Sequence, residues 1–247
     1  MDKKPEWLKV RYNQDAVNEV AEMMRELKLN TVCKEANCPN LGECYRKHTS
    51  TFMILGSVCT RNCRFCNVTH ARPEPPDPDE PMNVAVAAKK LGLRHVVLTC
   101  PTRDDLPDGG AEQFAKTVRA IRELCPGATV ETLISDMQMN TDALDVVIAA
   151  HPEVLNHNVE TVKELQAAVR PQARYERSLS VLRYCKEKDP TLLTKTGFMV
   201  GLGETEEQIC ALMDDVLETG CDILTIGQYL QPSPKHYPLA RYATPED

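Results

Sequence analysis

Six cysteines near the N-terminus fall into two triplets, Cys33/Cys38/Cys44 and Cys59/Cys63/Cys66, and the second has the spacing C-x3-C-x2-C. Thiolates are soft ligands that suit iron–sulfur clusters and zinc. Three of them hold three irons of a cubane and leave the fourth iron open. An open iron can bind a small molecule and pass an electron directly into it. For the second triplet the alternative is a structural zinc site completed by a histidine such as His70. Zinc sites usually bring paired knuckles and a nearby fourth ligand. This triplet stands alone, with Arg61 and Arg64 inside it to offset thiolate charge. The first triplet admits zinc as well, but two triplets this close together favour iron–sulfur for both. The other five cysteines of the eleven are scattered and read as small buried hydrophobes; Cys100 stands out because it follows a predicted strand.

These residues need a scaffold. The stripe Val17, Val20, Met24 and Leu27 predicts an N-terminal helix over 14–28. The segment from Cys33 to Cys44, with its Asn, Pro and Gly, is irregular. Then a strand–helix rhythm begins. Strands are expected at Thr51–Leu55, His95–Thr99, Ala128–Ile134, Val154–Asn156, Leu192–Val200 and Ile223–Gly227. Helices are expected over 84–91 (capped by Asn83), from Gly110 to Leu124, near 141–149, around 160–169, over 174–188 and over 205–219. Consecutive βα units imply a parallel sheet with right-handed crossovers. No Gly-x-Gly-x-x-Gly follows the first strand, which weakens a dinucleotide fold. The expected α/β architecture is therefore a partial barrel of six strands. Residues 1–50 form an N-terminal helix and loop, and 51–247 form the barrel.

Parallel α/β folds bind ligands at the C-terminal ends of their strands, and the unusual residues collect there. Cys59, Cys63 and Cys66 follow the first strand, Arg103 and Asp104 the second, and Ser135-Asp136 the third. Asn156-His157-Asn158 and Glu160 close the fourth, Gly201-x-Gly203-Glu204 the fifth, and Gln228-Tyr229 the sixth. The Asn156–Asn158 rim also reads as a helix cap, and the Gly201–Glu204 segment as a tight turn. Glu131 and Lys195 lie near strand starts and either pair inside the barrel or face outward.

The formal net charge of −7 gives no basic footprint for nucleic acid. No apolar run approaches the roughly 18 residues that span a membrane, and the first residues resemble neither a signal nor a transit peptide. A soluble cytoplasmic protein is expected, with neither nucleic acid nor membrane as partner.

The segment Cys59-Thr60-Arg61-Asn62-Cys63-Arg64-Phe65-Cys66 resembles the signature of radical S-adenosylmethionine (SAM) enzymes. The first triplet, C-x4-C-x5-C, resembles the mark of the lipoyl synthases within that superfamily. Segments 102–106, 155–158, 199–205 and 227–232 are similar to the same family. The resemblance implies a partial (β/α)6 barrel of radical SAM type with an N-terminal cluster-binding extension and two [4Fe–4S] clusters. Cys59, Cys63 and Cys66 would hold the cluster that binds SAM; Cys33, Cys38 and Cys44 would hold an auxiliary, sulfur-donating cluster. It implies reductive cleavage of SAM to a 5′-deoxyadenosyl radical that takes hydrogen from an unactivated carbon. Sulfur then enters at carbons 6 and 8 of an octanoyl chain on a lipoyl carrier domain, with an electron donor such as ferredoxin or flavodoxin. Paired carboxylates would be useless there, because the C–H bond has no acidic proton.

By the same resemblance, Asn156, Asn158, Glu160, Gly201, Gly203 and Glu204 hold SAM: glycine permits close backbone approach and amides suit ribose hydroxyls. Arg103, Asp104 and Lys195 are the candidate catalytic side chains. The family carries an Arg-Ser-Ser-Tyr segment whose serine ligates the auxiliary cluster, whereas this sequence stops at Pro245-Glu246-Asp247. A truncated chain is expected, with SAM cleavage the more secure of its two activities. The other readings are a radical SAM enzyme with a different substrate, a ferredoxin-like carrier, which would need four cysteines per cluster, and a zinc-stabilised binding module.

Overall fold

The structure, a computed structural model, describes residues 5–8, 14–36 and 51–247. Cys38 and Cys44 lie outside the described residues. Helix α1 (Gln14–Glu26) buries Val20 and Met24 of the expected stripe. A two-residue strand β1 (Asn30–Thr31) leads into the short helix α2 (Val32–Glu35). The Thr31 hydroxyl caps α2 by accepting from the Lys34 amide, which satisfies one of the helix's orphan donors.

The main body then runs β2 (Thr51–Met53), β3 (Val58–Cys59), β4 (Thr69–His70), α3 (Glu80–Lys90), β5 (His95–Thr99), α4 (Ala111–Leu124), β6 (Thr129–Leu133), α5 (Thr141–Ala149), β7 (Val154–Asn156), α6 (Gln166–Val169), α7 (Tyr175–Lys188), β8 (Leu193–Val200), α8 (Glu206–Leu217) and β9 (Ile223–Gln228). The sheet order is β1-β2-β5-β6-β7-β8-β9, with β1 antiparallel to β2 and every later pair parallel. This is the expected six-stranded parallel partial barrel. Met53, Thr99, Leu133, Asn156 and Lys195 are successive partners across five strands. The loops after β2, β5, β6 and β7 therefore leave the sheet close to one level, and side chains from distant sequence positions meet there.

Burial holds this frame. Val96, Leu98, Val130 and Leu155 form one core with Val84 and Ala88 of α3 and Phe114, Val118 and Ile121 of α4, all essentially inaccessible. A second core joins Leu182 of α7, Phe198 of β8 and Leu212 of α8. Each large aliphatic or aromatic side chain so buried contributes about 1.5–3 kcal/mol.

Two local expectations change, and one short strand pair is added. Helix α3 begins at Glu80 rather than after Asn83. Pro81 in the first turn has the helical φ already set and lacks a donor that would go unused there. The region 160–169 is not one helix but a 3₁₀ turn, Lys163–Leu165, followed by α6. The pair β3–β4, parallel with Cys59 opposite His70, brackets the loop of the second cysteine triplet.

Candidate active site

Cys59, Cys63 and Cys66 line one cavity of about 300 Å³ at the C-terminal mouth of the barrel. Met53, Phe65, Val68, Leu133 and Ile134 give it an apolar wall; Asn158, Glu160 and Arg170 give it a polar one. Val32 and Ala36, which flank Cys33 on and just after α2, line the same cavity. The first triplet thus begins where the second one sits, and Cys33 itself is buried. Asn67 donates from Nδ2 to the Glu35 carbonyl at 3.1 Å, which ties the two loops together.

The sulfurs sit in a partly desolvated setting. The amides of Arg61 and Thr102 point at Cys59 Sγ from 3.4 and 3.3 Å. Burial pushes the Cys63 thiol up, opposed by the Arg170 charge. Burial pushes Cys66 up to about 12, helped by the neighbouring thiols and Glu160. Desolvated thiols near one another favour the protonated form until a metal takes the charge, so binding would release protons. Among the described residues, no three His, Cys, Asp or Glu side chains are gathered as around a single ion. A zinc ion holds its thiolates at about 2.3 Å around one point, whereas a cubane spreads three thiolates over three irons. The donor set and the cavity between the cysteines fit a cluster. Cys100 lines the cavity as well, and burial pushes its thiol up to about 12.

Arg61 does not balance thiolates. Its guanidinium forks to Asp104 (Nε–Oδ2 2.6 Å, Nη2–Oδ1 2.8 Å) and to Asp136 (Nη1–Oδ2 3.0 Å, Nη2–Oδ1 2.6 Å). Burial alone would raise the Asp136 carboxyl, but these bonds overcome it and hold it well below the usual carboxylate range. Arg177 adds a further contact to Asp136 at 3.3 Å. The cysteine loop is in this way clamped to the ends of β5 and β6. Arg64 instead points outward and stacks over Tyr237, 5.5 Å from the ring centre.

The cation beside the thiols is Arg170, which sequence reasoning missed. Its Nη1 donates to the carbonyls of Asn158 and Val159 at 3.2 and 3.0 Å. Its buried Nε makes no hydrogen bond. Glu160, half-buried with φ +73°, lies near it: burial raises the carboxyl, and Arg170 and Asn158 oppose the rise. His157 also lines the cavity. Its Nδ1 lies 3.0 Å from the Ile134 carbonyl and its Nε2 2.9 Å from the Ser178 hydroxyl. Burial, with Arg170 nearby, pushes this imidazole down to about 4, so it is neutral.

The remaining candidates are placed elsewhere. Arg103 is 1% exposed and is consumed by loop contacts: Leu55 carbonyl, Glu74 carbonyl, and a fork to Asp105. Asp104 is held by Arg61. Neither appears on the cavity wall. Lys195 pairs with Glu131 at 2.9 Å, and Glu131 also accepts from Asn156 Nδ2 at 2.9 Å. The ion-pair reading of Glu131 and Lys195 holds, and it takes Asn156 with it, away from the cavity wall. In the Gly201–Glu204 turn the Glu204 carboxylate accepts from the amides of Gly201 and Leu202. The Ala240 amide donates to the Gly201 carbonyl at 2.8 Å. Gly201, Gly203 and Glu204 thus build a turn under the C-terminal segment rather than the cavity wall. Of the six expected SAM-binding residues, Asn158 and Glu160 line the cavity. The misses share a cause: a side chain's aim is set by tertiary packing, and no local pattern announced Arg170.

The radical SAM superfamily profile matches residues 53–216, from the end of β2 through most of α8. The chain is 55% identical over 244 residues to a lipoyl synthase of Caldanaerobacter subterraneus subsp. tengcongensis, covering 99% of this chain and 86% of that protein. It is 57% identical over 245 residues to a lipoyl synthase of Rubrobacter xylanophilus, covering 99% of this chain and 76% of the other. The chain belongs to the lipoyl synthase family of the radical SAM superfamily. Among solved structures it is similar in fold to a maturase of the [FeFe]-hydrogenase, HydG (TM-score 0.62, 13% identity, 96% of this chain and 59% of that one). It is also similar to methylornithine synthase (TM-score 0.61, 17% identity, 74% and 54%). Membership of the lipoyl synthase family brings [4Fe–4S] clusters and SAM with it. Among the described residues no helix is long and apolar enough to cross a membrane.

Proposed function

We propose that the chain inserts two sulfur atoms at carbons 6 and 8 of an octanoyl group carried on a lysine of a lipoyl carrier domain. Cys59, Cys63 and Cys66 would hold one cluster, and Cys33 with Cys38 and Cys44 the other. When bound, the clusters and SAM supply a hydrogen-abstracting radical and the sulfide that replaces the hydrogen. The chain's own side chains do the rest. Met53, Phe65, Val68, Leu133 and Ile134 offer an aliphatic chain an apolar wall and exclude water, which would otherwise compete for a reactive species. Asn158 and Glu160 present the polar groups that an amino acid or ribose needs. Arg170 supplies positive charge beside Cys63, with a donor to spare. His157, neutral and doubly bonded, fixes the rim between β6 and α7.

One observation carries the reading: the helix that starts the first cysteine triplet forms part of the wall around the second. A sulfur source must lie within contact distance of the carbon it attacks, and Val32 and Ala36 on either side of Cys33 line the cavity of the second triplet, which supports that reading. The test is anaerobic reconstitution with iron and sulfide, then incubation with SAM, dithionite and an octanoyl-lysine peptide. Release of 5′-deoxyadenosine together with a peptide heavier by sulfur is expected. Release of nucleoside with an unchanged peptide, while a different acyl or peptide substrate is consumed, would assign the chain another reaction. No nucleoside at all would remove the radical reading.

A further inference from the structure

A fourth thiol shares the cavity of the second triplet. Cys100, the residue after β5, lines it together with Cys59, Cys63 and Cys66, and among the described residues no other cysteine does. Three thiolates suffice for the proposed chemistry, which leaves Cys100 without a task. Its neighbour is Cys59. The Thr60 amide and hydroxyl both donate to the Thr102 carbonyl, at 3.0 and 2.9 Å. In return the Thr102 amide points at Cys59 Sγ from 3.3 Å. Segment 59–60 is thereby laid against the chain that follows Cys100. Cys59 is also the thiol whose charge acts on the Cys100 thiol. Cys63 and Cys66 belong to a separate turn, closed from the Cys66 amide to the Cys63 carbonyl at 3.1 Å, and Cys63 lies beside Arg170. Cys59 and Cys100 are both partly exposed, so a small oxidant can reach them.

We propose that Cys59 and Cys100 form a reversible disulfide when the second triplet has lost its metal and meets a peroxide, and that this bond guards Cys59 against irreversible oxidation. The consequence for iron rests on the proposed function; the disulfide itself does not. Cys59, whose sulfur the amides of Arg61 and Thr102 approach, is the attacking thiol. Its sulfur takes one peroxide oxygen, the O–O bond breaks, and the other oxygen leaves as water. The Cys100 sulfur then displaces the oxygen of the resulting sulfenic acid. The S–S bond forms, and that oxygen leaves as a second water with the Cys100 proton. The two thiols lose two electrons and the peroxide gains them. A sulfenic acid with no thiol beside it goes on to the sulfinic acid, which a dithiol does not reverse. A disulfide is opened by a dithiol, which returns Cys59 to the triplet.

The test uses the full chain, reconstituted anaerobically and then treated with hydrogen peroxide and an iron chelator, beside Cys100→Ser and Cys100→Ala. Peptide mass mapping reads the state of each cysteine. Iron per chain is counted again after dithiothreitol and a second reconstitution, relative to each chain's own first loading. In the unaltered chain a linked Cys59–Cys100 peptide, about 2 Da lighter than its reduced halves together, is expected. Its iron should return close to the first level. In both variants Cys59 should carry the sulfinic acid, about 32 Da heavier, and the second iron loading should fall roughly twofold or more. A Cys59–Cys63 or Cys63–Cys66 link in place of Cys59–Cys100 would overturn the proposal. So would equal iron recovery in all three chains. The mapping of the unaltered chain decides the pair whether or not the variants fold. An unaltered chain that takes up no iron at the outset would instead count against the proposed function, and the mapping after peroxide still decides the pair.

Discussion

Arg61 Nη2 lies 2.6 Å from Asp136 Oδ1, although 75 residues separate the two, and neither side chain is more than 3% exposed. With Asp104 on its other edge, this single guanidinium fastens the cysteine loop to two strand ends. Breaking a buried, forked pair leaves an uncompensated charge and costs about 3–5 kcal/mol. Arg61→Met should therefore lower the thermal midpoint by several degrees and reduce iron retained per chain after reconstitution. Arg61→Lys should recover little, because an ammonium cannot fork to two carboxylates. Unchanged melting and iron content in Arg61→Met would contradict the clamp.

The fold was legible because its signals are local. Apolar runs bounded by Gly, Pro and Asn marked the six parallel strands, and Thr205 with Gln208 forms a capping box that starts α8 close to its expected position. The cysteine loop was legible because ligand spacing is a local property. What stayed hidden is pairwise and long-range. Nothing near Arg61 in sequence says that its partners are Asp104 and Asp136 rather than thiolates. Nothing in the 160s marks Arg170 as the charge beside Cys63. Arg103 looked available for chemistry only because its carbonyl acceptors at Leu55 and Glu74 leave no side-chain trace. Strand β1 is two residues long, too short for any periodicity to register.

His157 sets a pH dependence. Its pKa falls from 6.5 to about 4 on folding, through burial and the Arg170 charge. An unfolded chain takes up the proton first, so stability is full above pH 6.5 and is lost as pH falls towards 4. Between pH 7 and pH 5 the loss should be about 2 kcal/mol. Urea unfolding of the metal-free chain at the two pH values should show it, and His157→Gln should flatten the difference. An equal pH slope in both chains would remove this role.

The pair Lys195–Glu131 lies inside the barrel, with Glu131 5% exposed and Lys195 more open. Lys195→Met alone leaves a buried carboxylate with Asn156, and with His95 at 3.5 Å. A loss of about 2–3 kcal/mol is expected, below the fully buried case because Lys195 is partly solvated. Adding Glu131→Gln should restore much of it. A double-mutant cycle with a coupling near zero would mean the two residues act independently.

Gly201 has φ +99°, and a Cβ there would collide with Gln228 Nε2 and come 2.6 Å from the Arg241 carbonyl. Gly201→Ala should cost about 1–3 kcal/mol from backbone strain alone. It should also loosen the segment that donates from the Ala240 amide to the Gly201 carbonyl. Limited proteolysis after residue 235 should accelerate in this variant. Protection equal to that of the unaltered chain would show that the turn does not hold the segment.

A cubane held by only Cys59, Cys63 and Cys66, with one iron left for SAM, is what the proposed chemistry requires. Electron paramagnetic resonance of the reconstituted, reduced chain, recorded with and without SAM, addresses this directly. A spectrum altered by SAM, with that response absent from Cys63→Ala, is the expected result. Bound zinc in place of iron, or a cluster spectrum indifferent to SAM, would contradict it.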